Sequence, residues 1–249
     1  MINQEKLDLL VEEGKDLTPQ NLKNLYLAYA KITKNYGAAI REVKTKLQIL
    51  DDDFELLHKH NPIHHMESRI KSPESILEKL TRKGMRLDID NVHKQIFDIA
   101  GIRVICHYIE DIYTIAELLK AQTDISVLKE TDYIKNPKPN GYRSLHLVVK
   151  VPVFFVDGME EVPVEVQIRT MAMDFWASLE HQLRYKSEGE IPKFIADELL
   201  ECSEAIARSD LQMQKIHSFL EDLGKFSSEN GMREAAYASA AAIKTADQI

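Results

Sequence analysis

The sequence predicts an α+β domain, a β-sheet flanked by helices with further long helices at both ends, and three stretches carry that prediction. From Asn136 to Arg169 the chain reads NPKPNGYRSLHLVVKVPVFFVDGMEEVPVEVQIR, a turn-rich loop followed by two strands joined in a hairpin. From Leu22 to Leu57 apolar residues recur at steps of three and four, the spacing of a helix face. Between Phe97 and residue 130 a strand, a helix and a second strand succeed one another as a βαβ unit.

In chain order, residues 1–20 are short amphipathic pieces ending at Thr18-Pro19, a cap followed by a helix-starting proline. The long helix carries Leu22, Leu25, Tyr29, Ile32, Tyr36, Ile40, Val43, Leu47, Leu50, Phe54 and Leu57 on one stripe, and Asn61-Pro62 closes it. A helix of this length seldom buries its stripe alone, so the stripe packs on the domain or on a partner subunit. Residues 67–71 read as a short strand with Arg69 and Lys71 on one face. Ser72 then caps a helix opened by Pro73, whose buried side is Ile76, Leu77 and Leu80 and whose other side is Ser75, Lys79, Arg82 and Lys83. Asp98 stands just before a strand entered through Ala100-Gly101, with Arg103 on its polar face and Ile102, Val104 and Cys106 buried. A helix near 110–121 and a strand near 124–130 come next.

The hairpin turns at Asp157-Gly158. Side chains on a strand alternate between faces. One face therefore takes Leu145, Leu147, Val149, Val151, Val164, Val166 and Ile168, and the other takes Ser144, His146, Val148, Lys150, Glu165, Gln167 and Arg169. Two neighbouring strands built this way make the floor of a polar cleft, and the loop with Tyr142 and Arg143 stands at its mouth, where binding groups are commonly held. Thr170 caps a helix bearing Met171, Phe175, Trp176, Leu179 and Leu183, with Asp174, Glu180, His181 and Arg184 on its polar side. A last helix, roughly 193–223, has Ile195, Leu199, Ile206, Leu211 and Ile216 as its spine. After Gly224 little remains to bury, and residues 225–249 are expected to be frayed or disordered.

Composition excludes several classes. With 249 residues and 44% hydrophobic content the chain can bury a core. A net charge of −8 argues against non-specific binding to nucleic acid or an anionic membrane, and no stable nucleic-acid partner is expected. Cys106 and Cys202 are too few for a disulfide framework or a thiolate zinc site. No apolar run approaches the ~20 residues of a membrane span, the first residues lack a signal-peptide core, and a cytoplasmic protein is expected.

The polar residues suggest a chemistry. Asp98 and Glu165, at separate strand ends, suit a hard cation such as Mg²⁺, which takes one or two carboxylates and fills its shell with water and phosphate oxygens. The helix start at Ser72-Pro73, with Arg69, Lys71, Lys79, Arg82, Lys83 and Arg86 around it, is a phosphate site. Together they match phosphoryl-type transfer, which rests on positioning and charge neutralisation. Neither a Walker-type phosphate loop nor a kinase Gly-rich loop is present.

DIAGIR at 98–103, NPKPNGYRSLH at 136–146, EVQIRT at 165–170 and AMDFWASLEH at 172–181 resemble, in the same order, the synthetase domain of the RelA/SpoT family, and most closely its single-domain small alarmone synthetases. The resemblance implies a nucleotidyltransferase-like mixed sheet flanked by helices. It divides the chain into a helical extension at 1–62, a candidate for oligomerisation, a synthetase core at 63–190, a helix at 191–224 and the tail. It implies Mg²⁺-dependent transfer of the β,γ-pyrophosphate of ATP to the ribose 3′-hydroxyl of GDP or GTP. In that reading Arg69 and Arg103 sandwich adenine, and Lys71, Ser75, Lys79 and Arg82 hold the ATP phosphates. Asp98 ligates Mg²⁺, and Glu165 assists the metal or accepts the 3′-hydroxyl proton. Tyr142 stacks on guanine and Asp174 reads its N1–H and amino group. His146, Gln167 and Arg169 order the acceptor nucleotide or its phosphates, with Lys138 at its 5′ phosphates. None of the nine histidines is followed by aspartate, the hydrolase mark of longer relatives, so synthesis without hydrolysis is expected, in a homotetramer. The alternatives are a toxin of the same fold that pyrophosphorylates tRNA or makes adenosine alarmones, and a non-catalytic nucleotide- or RNA-binding module.

Overall fold

Five strands form one sheet: β1 (Ile63–Ile70), β2 (Ala100–Cys106), β3 (Ser126–Asp132), β4 (Leu145–Phe155) and β5 (Gly158–Thr170), in the order β1-β2-β5-β4-β3. The structure, a computed structural model, describes residues 19–57, 60–82, 84, 96–186 and 192–246. The expected short helical pieces before Thr18, and Lys83 and Arg86 of the basic cluster, lie outside them. Among the described residues five helices accompany the sheet: α1 (Pro19–Leu57), α2 (Pro73–Arg82), α3 (Ile109–Lys120), α4 (Met171–Lys186) and α5 (Lys193–Ala246). Only β2 and β5 are parallel neighbours, so the sheet is mixed, as expected. The βαβ unit forms with parallel strands that are not adjacent: the crossover through α3 carries β3 past β5 and β4 to the far edge.

The alternation read from the hairpin holds along both strands. Leu145, Leu147, Val149, Val151, Val162, Val164, Val166 and Ile168 are buried together with Ile102, Val104 and Cys106. Helices α1 and α3 cover that face. The hairpin closes at Gly158, whose φ of +124° lies where a side chain would be strained. Thr170 caps α4 by accepting the Met173 amide at 3.1 Å, and Ser72 accepts the Ser75 amide at 3.3 Å at the start of α2.

One helix expectation is narrowed and two are corrected. Ile32, Tyr36, Ile40, Val43 and Leu47 of α1 are buried in the domain's own core. Five such side chains contribute about 1.5–3 kcal/mol each, comparable with the about 5–15 kcal/mol net stability of a whole domain. Of the two partners expected for the stripe, the domain itself takes these five residues, while Leu27, Ile49, Leu56 and Leu57 stay exposed. On α4 the buried apolar residues are Met173 and Trp176, while Met171, Phe175, Leu179 and Leu183 face outward. Helix α5 does not stop near Gly224: helical backbone continues to Ala246 through an alanine-rich stretch, and alanine has the highest helix propensity. Its expected spine is exposed at Leu211 and Ile216. No helix among the described residues is long and apolar enough to cross a membrane.

Candidate active site

The polar face of the sheet is built by register. Arg69 on β1 pairs with Gly101 on β2, which pairs with Glu165 on β5; one step along, Glu67, Arg103, Gln167 and His146 form the next row. Gly101 leaves the ground between Arg69 and Glu165 without a side chain, and a Cβ there would meet only Arg69, at 3.8 Å.

At the end of the β1–β2 ladder the Lys71 amide donates to the Ile99 carbonyl, continuing the register and setting Lys71 beside Asp98. Lys71 Nζ lies 2.7 Å and Lys79 Nζ 2.6 Å from Asp98 Oδ2. Burial alone would raise the Asp98 carboxyl; the two ammonium groups outweigh it and hold it below the usual carboxylate range. Asp98 Oδ1 is buried without a hydrogen-bond partner. Tyr36 of α1 lies in the same neighbourhood, and burial together with the Asp98 charge raises its phenol.

Glu165 is held by its neighbours. His146 Nδ1 lies 3.3 Å from its Oε1, and Gln167 Nε2 donates to its Oε2 at 2.9 Å. Burial raises its carboxyl, but His146 and Gln167 bring it below the usual range, against the opposing charge of Asp98. The Tyr142 hydroxyl meets His146 Nε2 at 2.8 Å, so Tyr142, His146 and Glu165 form one chain of contacts. Tyr133 packs edge-on against Tyr142 and His146, and Lys138 Nζ lies 4.7 Å from the centroids of both tyrosine rings.

A third group gathers where α4 leaves β5. Asp174 Oδ1 lies 3.4 Å from Arg103 and 3.6 Å from Arg169, close enough for charge pairing, yet it makes no hydrogen bond. Arg169 donates to Gln167 Oε1 at 2.7 Å, while its Nε is buried without a partner. Burial lowers the Arg169 pKa, and Arg103 and Arg69 add to that effect while Tyr142 and Asp174 oppose it; a guanidinium stays charged nonetheless. The two buried atoms left without partners, an acceptor on Asp174 and a donor on Arg169, mark a place for a polar ligand that both donates and accepts.

The loop over this site is fastened to α5. Gly141 has φ +91°, and a Cβ there would come 2.6 Å from Ser203 Cβ. The Ser203 hydroxyl donates to the Gly141 carbonyl at 2.5 Å and accepts from Arg143 at 2.6 Å. Arg143, expected at the mouth of the cleft, is therefore an anchor of the loop. Asn140 accepts the Tyr142 amide and donates to Glu180 of α4.

The structure thus joins Lys71, Lys79 and Asp98 in one cluster, Tyr142, His146, Glu165 and Gln167 in a second, and Arg103, Arg169 and Asp174 in a third. Arg69 stands on the same face and is exposed. Ser75 bonds to Ser72 at the start of α2, and Arg82 is exposed at its last turn. Three participants escaped the sequence reading. Glu67, 3.2 Å from Arg103, was accessible by counting two residues back from Arg69. Tyr133 and Tyr36 come from elements whose approach to the site no local pattern announces. The carboxylates fit a magnesium ion: two hard oxygen donors, with Asp98 Oδ1 open to a cation or to one of its waters.

Comparison with known proteins agrees with this geometry. Residues 68–190 match the family model described as a region found in RelA / SpoT proteins. Over 178 residues the chain is 47% identical to the GTP pyrophosphokinase YwaC of Bacillus subtilis, covering 72% of this chain and 85% of that protein. The small alarmone synthetase 1 of Bacillus subtilis bound to its product pppGpp superposes with a TM-score of 0.72 at 40% identity, over 76% of this chain and 96% of that one. The same protein bound to AMPCPP gives 0.67 at 37% identity, over 78% and 98%.

Proposed function

The chain belongs to the RelA/SpoT family, and from that premise we propose that its polar sheet face is the active site of a GTP pyrophosphokinase of the small alarmone synthetase type. The substrates are a purine nucleoside triphosphate as donor and a guanine nucleotide as acceptor. The β,γ-pyrophosphate of ATP passes to the ribose 3′-hydroxyl of GDP or GTP. A bond forms between the 3′ oxygen and the β-phosphorus, the bond from that phosphorus to the α–β bridging oxygen breaks, and AMP departs.

The observation that carries this reading is that two carboxylates, Asp98 and Glu165, share one sheet face with separate basic groups, Lys71 and Lys79 beside Asp98 and Arg103 and Arg169 beside Asp174. Lys71 and Lys79 hold the donor phosphates with Ser75 and Arg82 along α2, and Arg69 and Arg103 flank the adenine above Gly101. Asp98 and Glu165 would hold Mg²⁺, which when bound would supply charge neutralisation on the transferred phosphates. Glu165, kept ionised by His146 and Gln167, accepts the 3′-hydroxyl proton. Tyr142 stacks on guanine, and Lys138 leaves its ring for the 5′ phosphates. The unpartnered Asp174 oxygen accepts from the guanine N1–H and amino group, donors that adenine cannot match. His146, Gln167 and Arg169 order the acceptor ribose and phosphates. The protein works in the cytoplasm as a homotetramer, a reading supported by exposed apolar residues on α4 and α5.

Incubation with γ-labelled ATP, Mg²⁺ and each of GDP, GTP, ADP and tRNA, resolved by thin-layer chromatography, tests the assignment. Labelled guanosine tetra- or pentaphosphate is expected with GDP and GTP alone; label on ADP or tRNA contradicts the guanine reading.

A further inference from the structure

The far end of β2 carries a second group of metal-binding side chains, about 20 Å along this seven-residue strand from the Asp98 end. Nitrogens of His60 and His107 and a carboxylate oxygen of Asp111 all lie within 4.8 Å of one another. His60 precedes β1, His107 follows β2, and Asp111 lies in the first turn of α3, so three separate elements converge. Two further observations give the group shape. His107 Nδ1 is buried and has no hydrogen-bond partner, an unsatisfied donor or acceptor that folding does not leave without reason. The Asp111 carboxylate accepts the Tyr108 amide at 2.9 Å while lying 3.0 Å from His60 Nε2, so its orientation is fixed by backbone. A hydrogen bond that fixes a carboxylate in this way is the support that metal-ligating groups normally receive. Around the triad stand His217 of α5, 4.7 Å from His60 between ring centroids, and His64, 5.3 Å from His107.

A tetrahedral zinc ion holds imidazole nitrogens and carboxylate oxygens about 2.0–2.2 Å away, which sets its ligands roughly 3.3 Å apart. His60 Nε2 and Asp111 already stand 3.0 Å apart, and all three ligand atoms lie within 4.8 Å, so a side-chain adjustment of up to about 1.5 Å reaches that spacing. Two imidazoles and one carboxylate select a transition metal over magnesium, which prefers oxygen alone. The geometry points to a binding site for a divalent ion of the zinc class at His60, His107 and Asp111, distinct from the catalytic carboxylates, with water or a neighbouring imidazole as fourth ligand. Bound there, the ion ties the chain entering β1 to the β2–α3 junction. That junction already touches α5, because the Glu110 amide donates to Gln214 and Tyr108 stacks on His217.

The test uses the untagged full chain, stripped with chelator and titrated with Zn²⁺ in competition with a chromophoric chelator, followed by thermal unfolding. One equivalent bound and a raised Tm are expected. The same binding should persist in Glu165→Gln and weaken about 100-fold or more in His60→Ala and His107→Ala, both retaining pyrophosphokinase activity with Mg²⁺ as proof of folding. Co²⁺ provides a reading on the wild-type chain alone, with strong ligand-field absorption and at least two paramagnetically shifted imidazoles expected. The proposal is overturned by absence of stoichiometric binding, by histidine variants that titrate like the wild type, by binding that disappears in Glu165→Gln, or by a Co²⁺ spectrum of a hydrated ion.

Discussion

Asp210 is a buried carboxylate and Asp98 a half-buried one, and their surroundings drive them in opposite directions. Asp98 and Glu165 are held below their ordinary values, so their contribution to folding is complete above pH ~4, near the unfolded values, and is lost as the pH falls through the depressed folded ones. Asp210 is raised, because burial outweighs its 2.5 Å hydrogen bond from Thr170. Its contribution is present below the unfolded value of about 3.9 and is lost as the pH rises through the folded one. Asn at 210 keeps an acceptor for Thr170 and removes the charge. Urea unfolding at a series of pH values should therefore show Asp210→Asn gaining on the wild type as the pH rises from about 4; a wild type that gains on the variant instead contradicts this. Gly141 is the residue whose replacement should cost most in the loop. Gly141→Ala places a side chain at φ +91° and 2.6 Å from Ser203 Cβ. Strain and overpacking together predict a loss of about 2–5 kcal/mol in urea unfolding, partly recovered in the double variant with Ser203→Gly. A variant as stable as wild type would mean that the loop does not depend on α5.

At the level of elements, the sequence made most of the sheet legible and left the helices ambiguous. Period-two alternation in β4 and β5 assigns each side chain to a face, and Glu165, Gln167 and His146 stand where that count places them. Helical periodicity names an apolar stripe without saying what covers it. The stripe of α1 turned out to be core, whereas Met171, Phe175 and Leu179 of α4 and Phe219, Leu220 and Leu223 of α5 are exposed. The pairing of Lys71 and Lys79 with Asp98 was not legible, since it depends on a ladder between segments 27 residues apart. Nor was the third cluster, which needs α4 to turn back across β2. The exposed α5 residues are the surface through which the proposed oligomer would assemble. Phe219→Glu with Leu223→Glu should lower the mass found by light scattering while leaving the monomer's fold intact; an unchanged mass would place the assembly surface elsewhere.

For the whole molecule, the sheet separates two tasks by face. The apolar side, closed by α1 and α3, gives rigidity, and the polar side presents lysines beside Asp98, His146 beside Glu165 and arginines beside Asp174. That division makes catalysis a matter of charge and position, so removing one charge should slow transfer while leaving substrate binding largely in place. The most direct measurement is the transfer rate from ATP to GTP for wild type and Glu165→Gln, with affinities for each nucleotide measured alongside by calorimetry. The account predicts a fall in kcat of about 10²–10³-fold or more, with affinities within a few-fold of the wild type. A Glu165→Gln enzyme that turns over at the wild-type rate would contradict it and move the chemistry away from this face.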